Sequence, residues 1–354
     1  MFLAIKELSQ SKLKYILVGL IMVAILFLLF FINGLASGLS NADSSSLKNL
    51  PADYIVMNKD AEGNITKSEI NEQDTSEINQ IIDQKNATPF TIKLSSVKKE
   101  NKKADVVYFA VNTKNISLPP VIEGKKIEEL KNNEVIVNES VKNEGYTLYD
   151  VLVDENLNIE FKIVGFTQNQ TYSHLPVIYT NLAYWEEMNL LPLNTNNAIL
   201  YIGEKEIITG FDTFTKDEVV QAMPGYKETQ ASLTMMKVFL FFISAFVSTV
   251  FFYVITIQKT NQFGILKAIG ANTGYIAKSI ILQVVIITIA SLGLSLLAIF
   301  AMTQVLPADM PFVLSVSLVA WTGVIFLFLN LIGSIISVFK VYKADALDAI
   351  GRVE

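Results

Sequence analysis

The chain contains no cysteine and a single histidine, His174, among its 354 residues. The absence of cysteine excludes disulfide bonds, thiolate metal sites and thiol nucleophiles, so an exported domain must rest on its own hydrophobic core. One histidine cannot supply a site that needs two imidazoles from one subunit. The G-x-x-x-x-G-K-[ST], G-x-S-x-G and H-E-x-x-H motifs are also missing. We therefore predict no catalytic residues, no metal ligands and no ATP hydrolysis by this chain.

Acidic and basic residues are missing from four long apolar stretches, residues 15–42, 238–258, 279–308 and 310–339. Each stretch exceeds the roughly 20 residues needed to cross a hydrocarbon core of about 30 Å. Backbone groups in lipid must be satisfied internally, so we predict four transmembrane helices. No acidic residue within them could relay protons, which argues against ion-driven transport.

Positive charge is unevenly distributed. Residues 34–232 contain 18 Lys and no Arg against 29 Asp and Glu, and the remaining Lys and Arg flank the apolar stretches. Cytoplasmic loops carry an excess of Lys and Arg, so we predict cytoplasmic termini, a cytoplasmic loop at 259–278 and an acidic domain outside the cell membrane. An excess of acidic residues in this domain argues against binding of nucleic acid, which requires a basic surface.

The fold class is thus predicted to be an α-helical membrane protein with four transmembrane helices in 1+3 order and a mixed α/β extracellular domain. A cleavable signal peptide is the alternative for the first stretch, but 18 apolar residues at 15–32 favour an uncleaved anchor. The predicted boundaries are N-terminus 1–14, span one 15–38, outer domain with stalk 39–232, span two 233–258, coupling loop 259–278, span three 279–303, outer loop 304–311, span four 312–338 and tail 339–354.

The outer domain shows strand and helix patterns. β-Branched and aromatic runs predict strands at 88–94, 105–111, 134–137 and 158–165, and polar amphipathic runs predict helices at 68–85, 125–132, 182–189 and 216–223. Residues 41–50, rich in Ser and Asn, are expected to be a connector. If residues 226–258 form one helix, its 33 residues span about 50 Å and make a rigid stalk; a break near Gln230 is the alternative.

Between the second and third stretches lies Q-F-G-I-L-K-A-I-G-A at 262–271. Phe263, Leu266 and Ile269 recur at helical spacing, which predicts a short amphipathic helix that inserts into a groove on a soluble partner. The alternative is a tight turn lying on the lipid surface. Gly34 and Gly38 form a small-x-x-x-small pair, which favours either close helix approach or a helix-ending turn.

The sequence F-G-I-L-K-A-I-G-A resembles the signature of the FtsX-like permease family, the MacB-type or type VII ABC transporters. E-V-I-V-N-E-S at 134–140 with F-K-I-V-G-F at 161–166 is similar to strands of a MacB-like outer domain, and residues 343–352 are similar to the family's C-terminal ending, with Ala346 in place of its proline. The resemblance covers the whole chain. It implies a permease whose separate ABC ATPase binds ATP and docks on the tail and on the coupling residues Phe263, Gly264, Ile265, Leu266, Lys267, Ala268, Ile269 and Gly270.

Residues 4–7, 34–39, 252–259 and 310–312 are similar to the haem-efflux members of that family. This implies a homodimer with two ATPase copies that expels haem from the membrane, with haem as substrate and no intrinsic cofactor. Alternatives are export of antimicrobial peptides or lipid-like amphiphiles, an FtsX-like transducer that transports nothing, and a membrane-anchored structural or sensing domain.

Haem iron accepts Tyr, His, Met and carboxylate ligands. Glu228 and Met235 are seven residues apart and would lie on nearly the same face of a helix. Each candidate also has an ordinary structural interpretation, such as a packing methionine, an interfacial tyrosine or a loop histidine. The candidate haem residues are Tyr172, His174, Tyr226, Glu228, Met235 and Met236.

Overall fold

The computed structural model describes residues 2–99, 102–112, 119–125, 130–190, 195–307 and 310–343. The chain divides into two compact units. We call Met1–Gly38 with Ala231–Glu354 the helical unit, and Leu39–Gln230 the α/β unit. The similarity at residues 344–352 of the tail lies outside the described residues.

The helices are α1 Phe2–Gln10, α2 Lys12–Lys48, α3 Glu72–Ile81, α4 Leu182–Glu187, α5 Lys216–Gln221, α6 Tyr226–Gln258, α7 Thr260–Ala268, α8 Thr273–Thr303 and α9 Val316–Lys343. Four of them, α2, α6, α8 and α9, contain windows long and apolar enough to cross a membrane. This confirms the predicted number of spans. Helix α6 runs without a break through Gln230.

The core of the helical unit is built from large side chains on its long helices, including Leu26, Phe30, Phe252, Val284 and Phe326. Helix propensity alone would not hold these segments together, because most helical stability in proteins comes from packing.

Gly34 and Gly38 pack against Pro311 and Phe312 of the same chain. The Val313 N–H donates to the Gly34 carbonyl at 3.0 Å, and a Cβ at Gly38 would collide with the Pro311 carbonyl. Glycine is required there because the backbone approaches closely. The helix-ending alternative is wrong, since α2 continues to Lys48.

The α/β unit contains one mixed sheet. Its strands are β1 Tyr54–Asn58, β2 Ala87–Lys99, β3 Lys102–Val111, β4 Val121–Gly124, β5 Glu134–Asn138, β6 Val151–Asp154, β7 Ile159–Thr167, β8 Thr171–Tyr172, β9 Leu175–Asn181, β10 Ala198–Tyr201 and β11 Phe211–Thr215. The order is β11-β1-β10-β2-β3-β9-β5-β7-β4, with β6 on β2 and β7 and β8 on β9. Strands β3 and β9 pair in parallel, as do β5 and β7, and the other pairings in the described part of the sheet are antiparallel.

Alternate residues of the central strands enter separate apolar clusters. Phe109 belongs to one cluster with Phe90 and Tyr179, while its neighbour Tyr108 belongs to another with Phe161 and Trp185. A strand with side chains buried on both faces reads as a continuous apolar run. The D-V-V-Y-F-A-V pattern of β3 therefore predicted the strand correctly.

The predicted strands at 88–94, 105–111, 134–137 and 158–165 coincide with β2, β3, β5 and β7. The helices predicted at 68–85, 182–189 and 216–223 are shorter, as α3, α4 and α5. The helix predicted at 125–132 is not supported by Lys125 or residues 130–132, which are not helical; residues 126–129 lie outside the described part.

The connector expected at 41–50 is wrong, because α2 continues through it to Lys48. Serine often favours loops by competing for backbone hydrogen bonds. Here Ser44 donates back to the Ser40 carbonyl at 2.7 Å, and Ser46 donates to the Thr171 carbonyl at 2.8 Å. The Thr171 N–H in turn donates to Ser45 Oγ at 3.0 Å. A neighbouring strand thus satisfies hydroxyls that would otherwise compete with the helix.

Candidate coupling and substrate sites

Helix α7, Thr260–Ala268, is anchored by its buried face. Phe263 is 2% exposed and clusters with Ile276 and Ile280 of α8. Gly264 beside it is also buried. Phe263 therefore lies outside the accessible face of α7, because its contact with α8 sets the rotation of that helix.

The outward face of α7 is apolar. Ile265 is 52% exposed and Ile269 is 76% exposed, and Ala268 is exposed between them. Leu266 and Lys267 are half-buried. The helix ends at Ala268, and Gly270, two residues later, has a φ of +99° that suits glycine. The Ala271 N–H donates to the Leu266 carbonyl at 2.9 Å. Ile265 on the helix and Ile269 at its C-cap thus form an exposed apolar surface.

A buried polar network lies where α6 meets α7. The Lys259 ammonium is 3.3 Å from Glu7 Oε2, and both side chains are largely buried. Gln283 of α8 donates to Glu7 at 2.6 Å and accepts from the Tyr15 hydroxyl at 2.7 Å. Buried charges are found paired and hydrogen-bonded because isolation in an apolar interior is costly. The network therefore ties α1, α2 and α8 to the residue preceding α7.

Sequence reasoning missed this network, although two signals were available. Glu7 is the sole acidic residue among residues 1–42, and Gln283 is a polar side chain within an apolar stretch. Polar side chains in such stretches usually face a protein interior and hydrogen-bond there.

Tyr226, at the start of α6, is 6% exposed. Its hydroxyl lies 2.7 Å from Ser40 Oγ, which also accepts from the Lys48 ammonium at 2.7 Å. The Lys48 ammonium stands 5.7 Å from the centroid of the Tyr226 ring. The phenol oxygen already has partners, so iron ligation by Tyr226 would require this arrangement to open.

Tyr172 is a core residue, and its burial disfavours haem ligation. Its side chain is 3% exposed, and its ring packs edge-on against Phe109 with centroids 6.1 Å apart. Burial raises the pKa of the Tyr172 hydroxyl to about 12, which disfavours the phenolate that ferric iron prefers.

His174 lies in a turn beside the end of α2. Its backbone φ is +65°, its N–H donates to the Ala42 carbonyl at 3.0 Å, and its Nε2 is 3.0 Å from Asp43 Oδ1. The side chain is about half exposed. These contacts match those of a loop histidine that already has a partner.

The remaining candidates are accessible on α6. Met235 and Met236 are 62% and 52% exposed, and Glu228 is exposed two turns earlier on the same helix. Seven residues separate Glu228 from Met235, so helical geometry gives them nearly the same direction. These three residues meet the requirement of accessibility that Tyr172 does not.

Comparison with known proteins identifies the family. Residues 234–346 match the family described as FtsX-like permease C-terminal. The chain is 31% identical over 354 residues to the hemin transport system permease protein HrtB of Staphylococcus epidermidis, covering 99% of each. It is 30% identical over 359 residues to HrtB of Staphylococcus haemolyticus, covering 100% of each. The chain belongs to the FtsX-like permease family.

As an FtsX-like permease, the chain is the membrane subunit of an ABC system, which implies an ATPase partner. Solved structures with similarity include the periplasmic region of MacB from Actinobacillus actinomycetemcomitans, with a TM-score of 0.35, 13% identity and coverage of 50% of this chain and 95% of that one. The extracellular domain of the transporter YknZ from Gram-positive bacteria has a TM-score of 0.32, 14% identity and coverage of 44% and 83%.

Proposed function

We propose that this FtsX-like permease exports haem from the membrane, using ATP hydrolysed by a separate ABC ATPase. The observation that carries the proposal is similarity over the whole chain to relatives named as hemin transport permeases. Two permeases and two ATPases would form the working complex, with haem as substrate and the chain itself hydrolysing nothing.

The proposed orientation follows from charge. Lysines flank the apolar stretches at both ends of the chain and in loop 259–278, whereas residues 34–232 are acidic. The positive-inside rule then puts the termini and α7 in the cytoplasm and the acidic domain outside. Helix α6, with 33 residues, is about 50 Å long and exceeds the hydrocarbon thickness. We propose that it conveys motion of the ATPases across the cell membrane.

The ATPase would dock on the exposed apolar face of α7. Ile265, Ala268 and Ile269 supply that face, Leu266, Lys267 and Gly270 border it, and Phe263 with Gly264 holds the helix against its own unit. Burial of exposed isoleucines in a partner's groove would provide binding energy without requiring any change in the permease core.

Copurification with the ATPase tests this surface. Ile265→Asp combined with Ile269→Asp should reduce ATPase recovery at least tenfold, since charged side chains would enter an apolar groove. Ile207→Asp is the matched control, because Ile207 is 94% exposed in the α/β unit and should leave recovery unchanged. Unchanged recovery for the double variant would contradict docking on α7.

The proposed haem contacts are Met235, Met236 and Glu228 on α6. Methionine sulfur and carboxylate are both plausible iron ligands, and the apolar stretch beginning at Val238 would accommodate the macrocycle edge. Tyr226 and His174 are further candidates, and to bind iron their side chains would have to leave Ser40 and Asp43. Export further requires that the conformations of the cycle differ in haem affinity.

Haemin titration of the purified protein in detergent tests the substrate. A shifted Soret band should form with the parent chain and be lost in Met235→Leu combined with Met236→Leu, whereas Met188→Leu, at another exposed methionine, should retain it. A free-haemin spectrum in the parent chain would contradict haem export. If ATPase copurification persisted, export of another amphiphile or FtsX-like transduction would then be favoured.

A further inference from the structure

A groove of about 570 Å³ lies between α2 and α8 of the helical unit. Its walls are formed largely by aliphatic side chains, including Leu20, Val23, Ile286 and Leu294. The volume falls within the usual range for small-molecule sites, roughly 300–1,000 Å³. None of the candidate haem residues or α7 residues lines it.

Each of the two helices contributes small residues to the groove. Gly19 of α2 and Ala290 and Ser291 of α8 line its floor, and Ser291 Oγ donates to the Gly19 carbonyl at 3.3 Å. A Cβ placed on Gly19 would meet open space, so the missing side chain leaves room that no neighbour fills. This hydrogen bond joins the two helices at a position where neither contributes a large side chain.

The shape suits an extended hydrocarbon chain. The α2 wall extends from Lys12 to Val23, which corresponds to about 16 Å of helix at about 1.5 Å per residue. Ile16 and Leu20 are each 65% exposed and Leu294 is 57% exposed, so the groove opens to its surroundings along its length. In a membrane subunit those surroundings are lipid tails.

The charge is confined to one end. Lys12 is the sole charged residue lining the groove, and no ion pair joins its ammonium to any residue that the structure describes. An occupant that matches this lining has an anionic group at Lys12 and hydrocarbon beyond it. Basic pockets between transmembrane helices on the cytoplasmic side are known to hold acidic lipid head groups.

We propose that this groove binds one acyl chain of an anionic phospholipid, with the phosphate at Lys12. The leaflet rests on the orientation proposed above, which makes the Lys12 end cytoplasmic; the binding itself does not depend on haem as substrate. Tyr15 lines the same groove and donates to Gln283, so the lipid would lie beside the network that holds α7.

Native mass spectrometry of the full chain, released from vesicles of phosphatidylcholine and phosphatidylglycerol, tests the proposal. The parent chain should retain one phosphatidylglycerol in preference to phosphatidylcholine. Gly19→Leu should lose the bound lipid because its side chain fills the groove. Gly293→Leu should keep it, since Gly293 of α8 is a second helical glycine whose Cβ would meet open space, but it lies outside the groove lining.

A second variant tests the charge of Lys12 at the end of the groove. Lys12→Gln should lower the ratio of phosphatidylglycerol to phosphatidylcholine roughly fivefold, and Lys278→Gln, a lysine outside the lining, should leave that ratio unchanged. Equal lipid retention by Gly19→Leu and the parent chain would overturn the proposal. Displacement of the lipid by added haemin, abolished by Gly19→Leu, would also overturn it by making the groove a substrate site.

Discussion

The two units expose different kinds of side chain. In the α/β unit the large rings of Tyr108, Phe161 and Trp185 are fully buried. In the helical unit Phe242 and Phe246 are 69% and 70% exposed. Removing large aromatic side chains from water is strongly favourable. Their exposure along a helix therefore indicates that the solvent there is hydrocarbon.

Charged pairs show the reverse arrangement. Lys98 and Glu155 form an ion pair in the α/β unit with 44% and 61% of their side chains exposed, whereas Lys259 and Glu7 in the helical unit are 13% and 9% exposed. The comparison indicates that each unit is organised for a different solvent. The α/β unit keeps the Lys98–Glu155 pair at its surface, whereas the helical unit keeps the Lys259–Glu7 pair in its interior.

Removing the same ring from each unit should have very different effects. Phe161→Ala should lower the opening free energy of β7 by about 3–5 kcal/mol, because it leaves a cavity in a closely packed core. Phe246→Ala should change the stability of the helical unit by less than about 0.5 kcal/mol, because lipid replaces the ring. Hydrogen exchange measured by mass spectrometry on the reconstituted chain would compare them. Similar losses would refute the difference in solvent.

The charged pairs give a second contrast. Glu7→Gln should destabilise the helical unit by about 3–5 kcal/mol, because Lys259 is left buried without its carboxylate. Adding Lys259→Met should recover part of that loss. Glu155→Gln should leave the thermal unfolding of the full chain unchanged. If Glu7→Gln also left thermal unfolding unchanged, the buried network would have no part in holding α7.

A smaller effect is expected from acid on the α/β unit. Hydrogen bonds from the Lys99 ammonium at 2.5 Å and the Thr147 N–H at 2.7 Å lower the pKa of Asp150. A lowered folded-state pKa adds stability above the usual Asp pKa of about 4, and this stability disappears as the pH falls through the folded value. Exposure to water limits the effect to at most about 1 kcal/mol. Asp150→Asn should therefore make the free energy of unfolding fall less steeply as the pH is lowered. An unchanged dependence on pH would contradict a stabilising role for ionised Asp150.

The sequence was most informative where a pattern depended on local chemistry. Apolar runs predicted the spans, and β-branched runs predicted β2, β3, β5 and β7. It failed where distant partners decide the outcome. The Ser-rich end of α2 stays helical because Thr171 satisfies its hydroxyls, and Phe263 faces inward because of Ile276 and Ile280.

The haem candidates illustrate the same limit. Ligand chemistry selected Tyr172, Tyr226 and Met235 equally, but only the folded sheet shows that Tyr172 is enclosed. Exposure is a property of packing between segments far apart in sequence, and no local pattern around the Y-S-H turn indicated it.

The proposed function requires the α/β unit and α7 to lie on opposite sides of the membrane. The chain has no cysteine, so Ser76→Cys in α3 and Ala268→Cys in α7 would each carry a unique thiol at an exposed position. With a membrane-impermeant maleimide, the Ser76→Cys protein should be labelled on intact cells and the Ala268→Cys protein only after permeabilisation. Labelling of both from the same side would contradict the proposed orientation.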